Sequence, residues 1–239
     1  MLGLLMRWIN KIEVCHVRGK GRYSWQKKRP ERRIMRKIHV IGVAGGSASG
    51  KTTIVKKIQD YFGEDIVVLG HDSYYKAHDD MDYEARSQLN YDHPNSFETE
   101  RMVEDVRKLM KGQAVDIPVY AYTIHNRAKE TEHIEPKKLI IIEGFLILES
   151  KELRDQMDAK IFVDADADER LMRRIRRDTV ERARSVSSIL DQYEATVKPM
   201  YEAFVEPSKR YADVIIPRGG ENTIGVTMLK EYLRHLLAE

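Results

Sequence analysis

Five short runs of apolar, mostly β-branched residues punctuate the chain, at 38–44, 66–69, 139–142, 161–163 and 214–216. Their apolar positions are consecutive rather than alternating, which suits strands covered on both faces, as in a parallel sheet. Between them the apolar spacing shifts to the helical period: from the Gly45-Gly46 turn to about Tyr61, and over 97–111, 168–178, 187–204 and 223–237. This alternation predicts an α/β fold, a doubly wound parallel five-stranded sheet with helices on both faces and ligands at the carboxyl ends of its strands. Residues 117–135 break the rhythm with short alternating pieces around a polar middle, and predict a β-hairpin projecting from the sheet. No repeat or low-complexity tract intervenes, so residues 38–239 read as one domain.

Composition narrows the class. The 239 residues are 42% hydrophobic and 33% charged, which excludes a disordered or fibrous chain. No apolar run approaches the roughly 18 residues of a membrane-spanning helix. Cys15 is the single cysteine and excludes an intrachain disulfide or a cysteine metal cluster. A soluble, cytoplasmic protein with no membrane partner is the expectation. The net charge of +3 conceals an asymmetry: residues 1–37 carry twelve Lys/Arg against Glu13 and Glu31, which leaves the rest at −7. A basic arm suits nucleic acid, an anionic membrane or organelle targeting. The plainer reading is an unstructured extension, or a stretch upstream of a true start at Met35. No nucleic acid is expected on the acidic body.

Chemistry enters directly after the first strand. Gly45-Gly46-Ser47-Ala48-Ser49-Gly50-Lys51-Thr52 fits G-x-x-x-x-G-K-[ST] between a strand and a helix. Glycines let the backbone wrap a triphosphate, while loop N–H groups and the helix N-terminus face the phosphate oxygens. Lys51 is placed to reach the β- and γ-phosphates and Thr52, followed by Thr53, to ligate Mg²⁺. Glu143 ends the third strand, where a carboxylate holds a Mg²⁺ shell through water or simply meets solvent. Asp72 stands on the same rim after the second strand, and alone it reads equally as a helix N-cap or a base. Arg173, Arg174, Arg176, Arg177, Arg182 and Arg184 fall within 12 residues. They form either a solvated helical face or a mobile phosphate clamp.

Beyond this loop the chain resembles the uridine (uridine–cytidine) kinases, from about Ile38 to the C-terminus. The resemblance is carried by His71-Asp-Ser-Tyr-Tyr-Lys76, Asn90-Tyr-Asp-His-Pro94, Ile117-Pro-Val-Tyr120 with His125 and Arg127, and Ile142-Glu-Gly144. It continues through Arg173-Arg-Ile-Arg-Arg-Asp178, Glu181-Arg-Ala-Arg184, Gln192-Tyr193, Lys198-Pro199 and Tyr211-Ala-Asp-Val-Ile-Ile-Pro-Arg-Gly219. It implies a P-loop kinase with an Arg-rich lid, a homotetramer, and Mg²⁺-assisted transfer from ATP or GTP to the 5′-hydroxyl of uridine or cytidine. It further implies Asp72 as the proton acceptor, Arg177 and Arg182 on ATP phosphates, and Arg174 and Arg184 on the nucleoside. Asp92 is implied on the ribose, Tyr120 and His125 on the pyrimidine, and Gln192 on sugar or base. Tyr91 and Tyr122 wall the pocket, Tyr75 lies beside Asp72, and Glu221 borders the adenine. For the isolated tyrosines 75, 91 and 122, core packing is the plainer alternative. Arg173 and Arg176 are assigned to the surface. Ala183 departs from the family, where Gly is common.

Two other classes compete. A P-loop kinase for pantothenate, phosphoribulose or a deoxynucleoside would share the loop but lack the Tyr-Asp-His-Pro and Ile-Pro-Val-Tyr blocks. A guanine-nucleotide switch would need Asn-Lys-x-Asp after the loop; the nearest match, Asn10–Glu13, precedes it and ends in the wrong acid. An RNA-binding protein would use the basic arm. The other histidines lack metal-ligand spacing.

Overall fold

A computed structural model describes residues 14–18, 22–26 and 38–238. Met1–Arg36 and Lys37–Glu239 are separate compact units. In the first, Val14–Arg18 (β1) and Arg22–Gln26 (β2) pair antiparallel, with Cys15 opposite Trp25. The reading of the sequence placed no strands there; Met35, and the start site expected at it, lie outside the described residues.

The five apolar runs become β3 (His39–Ala44), β4 (Ile66–Gly70), β7 (Leu139–Glu143), β8 (Ala159–Asp164) and β9 (Val214–Pro217). They form one sheet in the order β4-β7-β3-β8-β9, parallel throughout. Between β4 and β7 the chain makes the expected hairpin, β5 (Val115–Ala121) and β6 (Asn126–Ile134), as a two-stranded sheet of its own.

Side chains alternate across the central strands and feed two cores. Val40, Ala44, Ile140 and Ile142 face α3 (Thr99–Met110) through Met102, Val103, Val106 and Leu109. Ile41, Val43, Leu139 and Ile141 face α1 (Lys51–Phe62) and α9 (Thr223–Ala238) through Ile54, Ile58, Val226 and Leu233. Leu139, Ile140, Ile141 and Ile142 are all fully buried. Each such side chain contributes about 1.5–3 kcal/mol relative to exposure, which explains the unbroken apolar run.

The remaining helices are α2 (Tyr83–Ser87), α4 (Lys151–Arg154), α5 (Ala167–Glu181), α6 (Val186–Gln192), α7 (Lys198–Met200) and α8 (Glu206–Ser208), of which only α5 is long. The reading of residues 187–204 as one helix meets two interruptions, the π-helical turns Tyr193–Val197 and Tyr201–Val205. Pro199 and Pro207 lack the N–H groups that would close α-helical bonds to Ala195 and Ala203, and the wider turns fall at those points. Among the described residues no helix is long and apolar enough to cross a membrane.

Candidate active site

The phosphate-binding loop bridges β3 and α1 as its motif requires. Gly45 is in a glycine-specific conformation, φ 141°, and a Cβ there would lie 2.2 Å from the Val163 carbonyl oxygen. Gly50 takes the left-handed conformation, φ 98°, at the N-cap of α1. Behind the loop, Gly219 and Gly220 press against Ser49, Gly50 and Thr53, and Lys57 Nζ donates to the Gly220 carbonyl at 2.7 Å. The 217–221 loop thus packs against the phosphate loop and the start of α1. Its Glu221 is exposed and pairs with Arg173 at 3.5 Å.

Lys51 is buried, and its Nζ donates to the Gly46 carbonyl at 3.0 Å. Burial lowers its pKa below the usual lysine range, although Glu143 and Asp72 favour the charged form; Arg177 and Arg170 add to the lowering. The Thr52 hydroxyl donates to Glu143 Oε1 at 2.6 Å, joining the two residues assigned to a cation. Among the described residues no group of three or more His, Cys, Asp or Glu side chains could hold a metal by itself.

Asp72 lies in the 3₁₀ turn His71–Tyr74 that follows β4. The cap position belongs to Gly70, so the N-cap reading of Asp72 fails. Its Oδ2 instead accepts a hydrogen bond from Tyr122 at 2.8 Å, across from the hairpin turn. Desolvation of the hydroxyl, then the charge and bond of Asp72, raise the Tyr122 phenol well above the usual tyrosine range. It therefore stays a donor at neutral pH. His71, just before Asp72, stacks on Phe97 at 4.1 Å, and burial lowers its pKa to about 3.

The hairpin and the 90–97 segment build an aromatic wall. Tyr75 is buried, stacked on Phe97 at 4.1 Å and edge-on to Tyr91 at 5.4 Å; the core-packing alternative describes it. Tyr91 shares its hydroxyl proton between the carbonyls of Arg86 (3.1 Å) and His125 (3.2 Å), and stacks on the His125 ring. Tyr120 packs edge-on against Tyr122 at 5.3 Å. His125 takes the left-handed conformation, φ 47°, and burial, aided by Arg184 and Arg86, lowers its pKa, so the ring is neutral at pH 7.

Asp92 follows Tyr91 in the same segment, and its Oδ2 accepts from the Thr196 hydroxyl at 2.9 Å. Burial raises its pKa above the usual aspartate value; the Thr196 hydrogen bond and Arg174 oppose the rise, and Asp72 adds to it.

The arginine-rich segment folds around an acid. Asp178 is fully buried, and four guanidiniums approach it: Arg177 at 2.7 Å, Arg174 and Arg182 at 3.7 Å, and Arg184 at 3.8 Å. One carboxylate against four cations leaves this lid strongly positive. Arg174 is buried and donates to Ser47 Oγ of the phosphate loop (3.1 Å) and to Gln192 Oε1 (2.9 Å), which also accepts from Arg184 (2.6 Å). Arg177 and Arg182 keep part of their guanidinium in solvent. Ala183, between Arg182 and Arg184, adopts φ 51°, a left-handed conformation that glycine would take with less strain. Arg173, assigned to the surface, ties Glu169 to Glu221.

Three residues of this constellation went unassigned in the sequence. Asp178 reads as an ordinary i,i+4 partner within a basic helix. Arg170 is buried, with its guanidinium 3.8 Å from the Tyr201 ring centroid and beside Gly46. Thr196, which touches Asp92, carries no motif at all.

The chain is similar to known proteins over most of its length. Residues 40–225 match the family described as Phosphoribulokinase / Uridine kinase family. The uridine kinase of Lactobacillus johnsonii is 50% identical over 201 residues, covering 83% of this chain and 95% of that one. The uridine kinase of Streptococcus uberis is 49% identical over 207 residues, covering 86% and 99%. Among solved structures, phosphoribulokinase from Rhodobacter spheroides superposes with a TM-score of 0.56 at 14% identity, over 76% of this chain and 70% of that one. D-glycerate 3-kinase from Cryptococcus neoformans gives 0.52 at 16% identity, over 70% and 79%. At those identities the structures speak for the fold alone.

Proposed function

The chain belongs to the phosphoribulokinase / uridine kinase family, and from that premise we propose that it transfers the γ-phosphoryl group of ATP to the 5′-hydroxyl of uridine or cytidine. The observation that carries the reading is the meeting of a base, a cation and a clamp on one rim. Tyr122 donates to Asp72 at 2.8 Å with the Arg182 guanidinium 5.2 Å from its ring centroid, and Arg174 of the same lid donates to Ser47 of the phosphate loop at 3.1 Å.

Each residue then has a task. The nucleoside 5′-oxygen attacks the γ-phosphorus while its proton passes to Asp72 and ADP departs. Lys51, Arg177 and Arg182 neutralise charge spread over the transferred group, and closure of the lid excludes water. Arg174, Arg184 and Gln192 hold the nucleoside side, with Tyr120, Tyr122, Tyr91 and His125 around the base and Asp92 on the ribose. Thr52 and Glu143 offer adjacent hard oxygen ligands, and Mg²⁺ needs only one or two from protein when phosphates and water supply the rest, so the pair fits it. Bound there, the ion would neutralise phosphate charge. GTP serves as an alternative donor in this reading. Ile224, Met228 and Tyr232, spaced four apart and exposed on α9, support a homo-oligomer. A cytoplasmic setting fits an ATP-consuming chain with one cysteine.

The test is ATP consumption with uridine, cytidine, thymidine and pantothenate in parallel. Turnover with the two ribonucleosides is expected; turnover confined to thymidine or pantothenate overturns the assignment. Lys51→Met should lower kcat on the order of 10²–10³, the usual scale for removing a transition-state charge donor. Thermal unfolding should show no matching loss of Tm, because burial already works against the charged ammonium. Activity within tenfold of the parent would remove Lys51 from the machinery.

A further inference from the structure

Asp92 is held from behind by a residue outside every motif. The Thr196 hydroxyl, with one proton to give, lies 2.9 Å from Asp92 Oδ2 and 3.2 Å from the Gln192 carbonyl oxygen. Thr196 belongs to the π-helical turn Tyr193–Val197, a distortion of the helix. Such turns recur at functional sites. The same stretch of helix presents Gln192 Oε1 to Arg174 and Arg184. Lid arginines and the half-buried Asp92 are thus gathered by residues one turn apart.

A carboxylate turns easily about its last side-chain bond, whose torsional preference is broad. Anchoring one oxygen removes that freedom. Among the described residues no protein donor reaches Asp92 Oδ1, so the anchored group keeps this oxygen for a ligand.

We propose that Thr196 is a positioning residue for phosphoryl transfer: it fixes the Asp92 carboxylate so that Oδ1 meets the sugar hydroxyls, and thereby sets the preference for ribose over 2′-deoxyribose. The proposal rests on the ribose role of Asp92 stated above. A carboxylate allowed to rotate binds a diol less well but repels a deoxy sugar less sharply, because an acceptor left unpaired by the missing hydroxyl can turn to find water.

The experiment measures kcat and KM for uridine and 2′-deoxyuridine, with Tm, in Thr196→Val, Thr196→Ser and Asp92→Ala. Thr196→Val should raise the uridine KM about tenfold, the scale of one hydrogen bond to a charged group, with a smaller change in kcat. The uridine-to-deoxyuridine ratio of kcat/KM should fall several-fold, and Thr196→Ser should restore it. A role limited to holding the helix together would weaken both substrates equally and leave the ratio unmoved; that result, or a serine variant with parental Tm and no recovery, overturns the proposal. Should the valine variant fail to fold, Thr196→Ala carries the same comparison. If Asp92→Ala itself leaves the uridine KM and the ratio untouched, the ribose reading has failed; if it collapses the ratio while Thr196→Val does not, only the role of Thr196 has.

Discussion

Asp72→Asn is expected to lose about 10²–10⁴ in kcat, the range for a positioned general base, while the KM for uridine changes little. In barrier height that is roughly 3–5 kcal/mol. The substitution is nearly isosteric, and the new amide oxygen can still accept from the Tyr122 hydroxyl that now donates to Asp72 at 2.8 Å. The hairpin contact therefore survives, and the loss falls on proton acceptance alone. Steady-state kinetics with uridine and ATP, beside a thermal melt, decide the matter. A variant that melts like the parent and turns over within tenfold of it would show that the hydroxyl proton leaves by another route. A loss of kcat with a large rise in KM would instead make Asp72 a substrate anchor.

The parts of this site that could be read from residues alone are those where one physical demand dictates both residue type and spacing. A backbone that wraps phosphates favours glycine where φ is positive, and Gly45 and Gly50 follow that preference, although Ala48 in the same loop takes φ 61°. Strands covered on both sides need unbroken apolar runs, and residues 139–142 show one. Legibility ended where a contact joins residues far apart without a pattern. Thr196 meets Asp92 across 104 positions, and Tyr122 meets Asp72 across 50. Short helices hid for another reason. α2 spans five residues and starts from the Asp82 side chain accepting from the Ala85 N–H, too brief a stretch for a 3.6-residue period to register. The π-helical turns had a visible cue in Pro199 and Pro207, but a proline announces an interruption without saying how the backbone absorbs it.

Asp178→Ala should cost about 3–5 kcal/mol of folding stability, the penalty for stranding buried charge by deleting its partner. For a domain of this size the loss corresponds to roughly 6–20 °C in Tm. Asp178 has no exposed surface, and Arg174 beside it is itself buried, so solvent cannot replace the lost carboxylate there. Arg177, Arg182 and Arg184 would repel one another with nothing between them. The acid also leaves a mark in pH. Burial pushes its carboxyl up, but the Arg177 hydrogen bond and the charges of Arg177, Arg182 and Arg174 outweigh this, leaving the pKa below the usual aspartate value. As pH falls from the unfolded value of about 3.9 through the lower folded one, the unfolded state holds more protons and stability drops. Denaturant unfolding across acid pH should therefore show a steeper decline in the parent than in Asp178→Asn, whose amide does not titrate. A cost under 1 kcal/mol for the alanine variant, with an unchanged acid limb, would mean that the arginines of the lid stand apart without their counter-charge. Such a lid would have to be ordered by the triphosphate rather than arrayed to receive it.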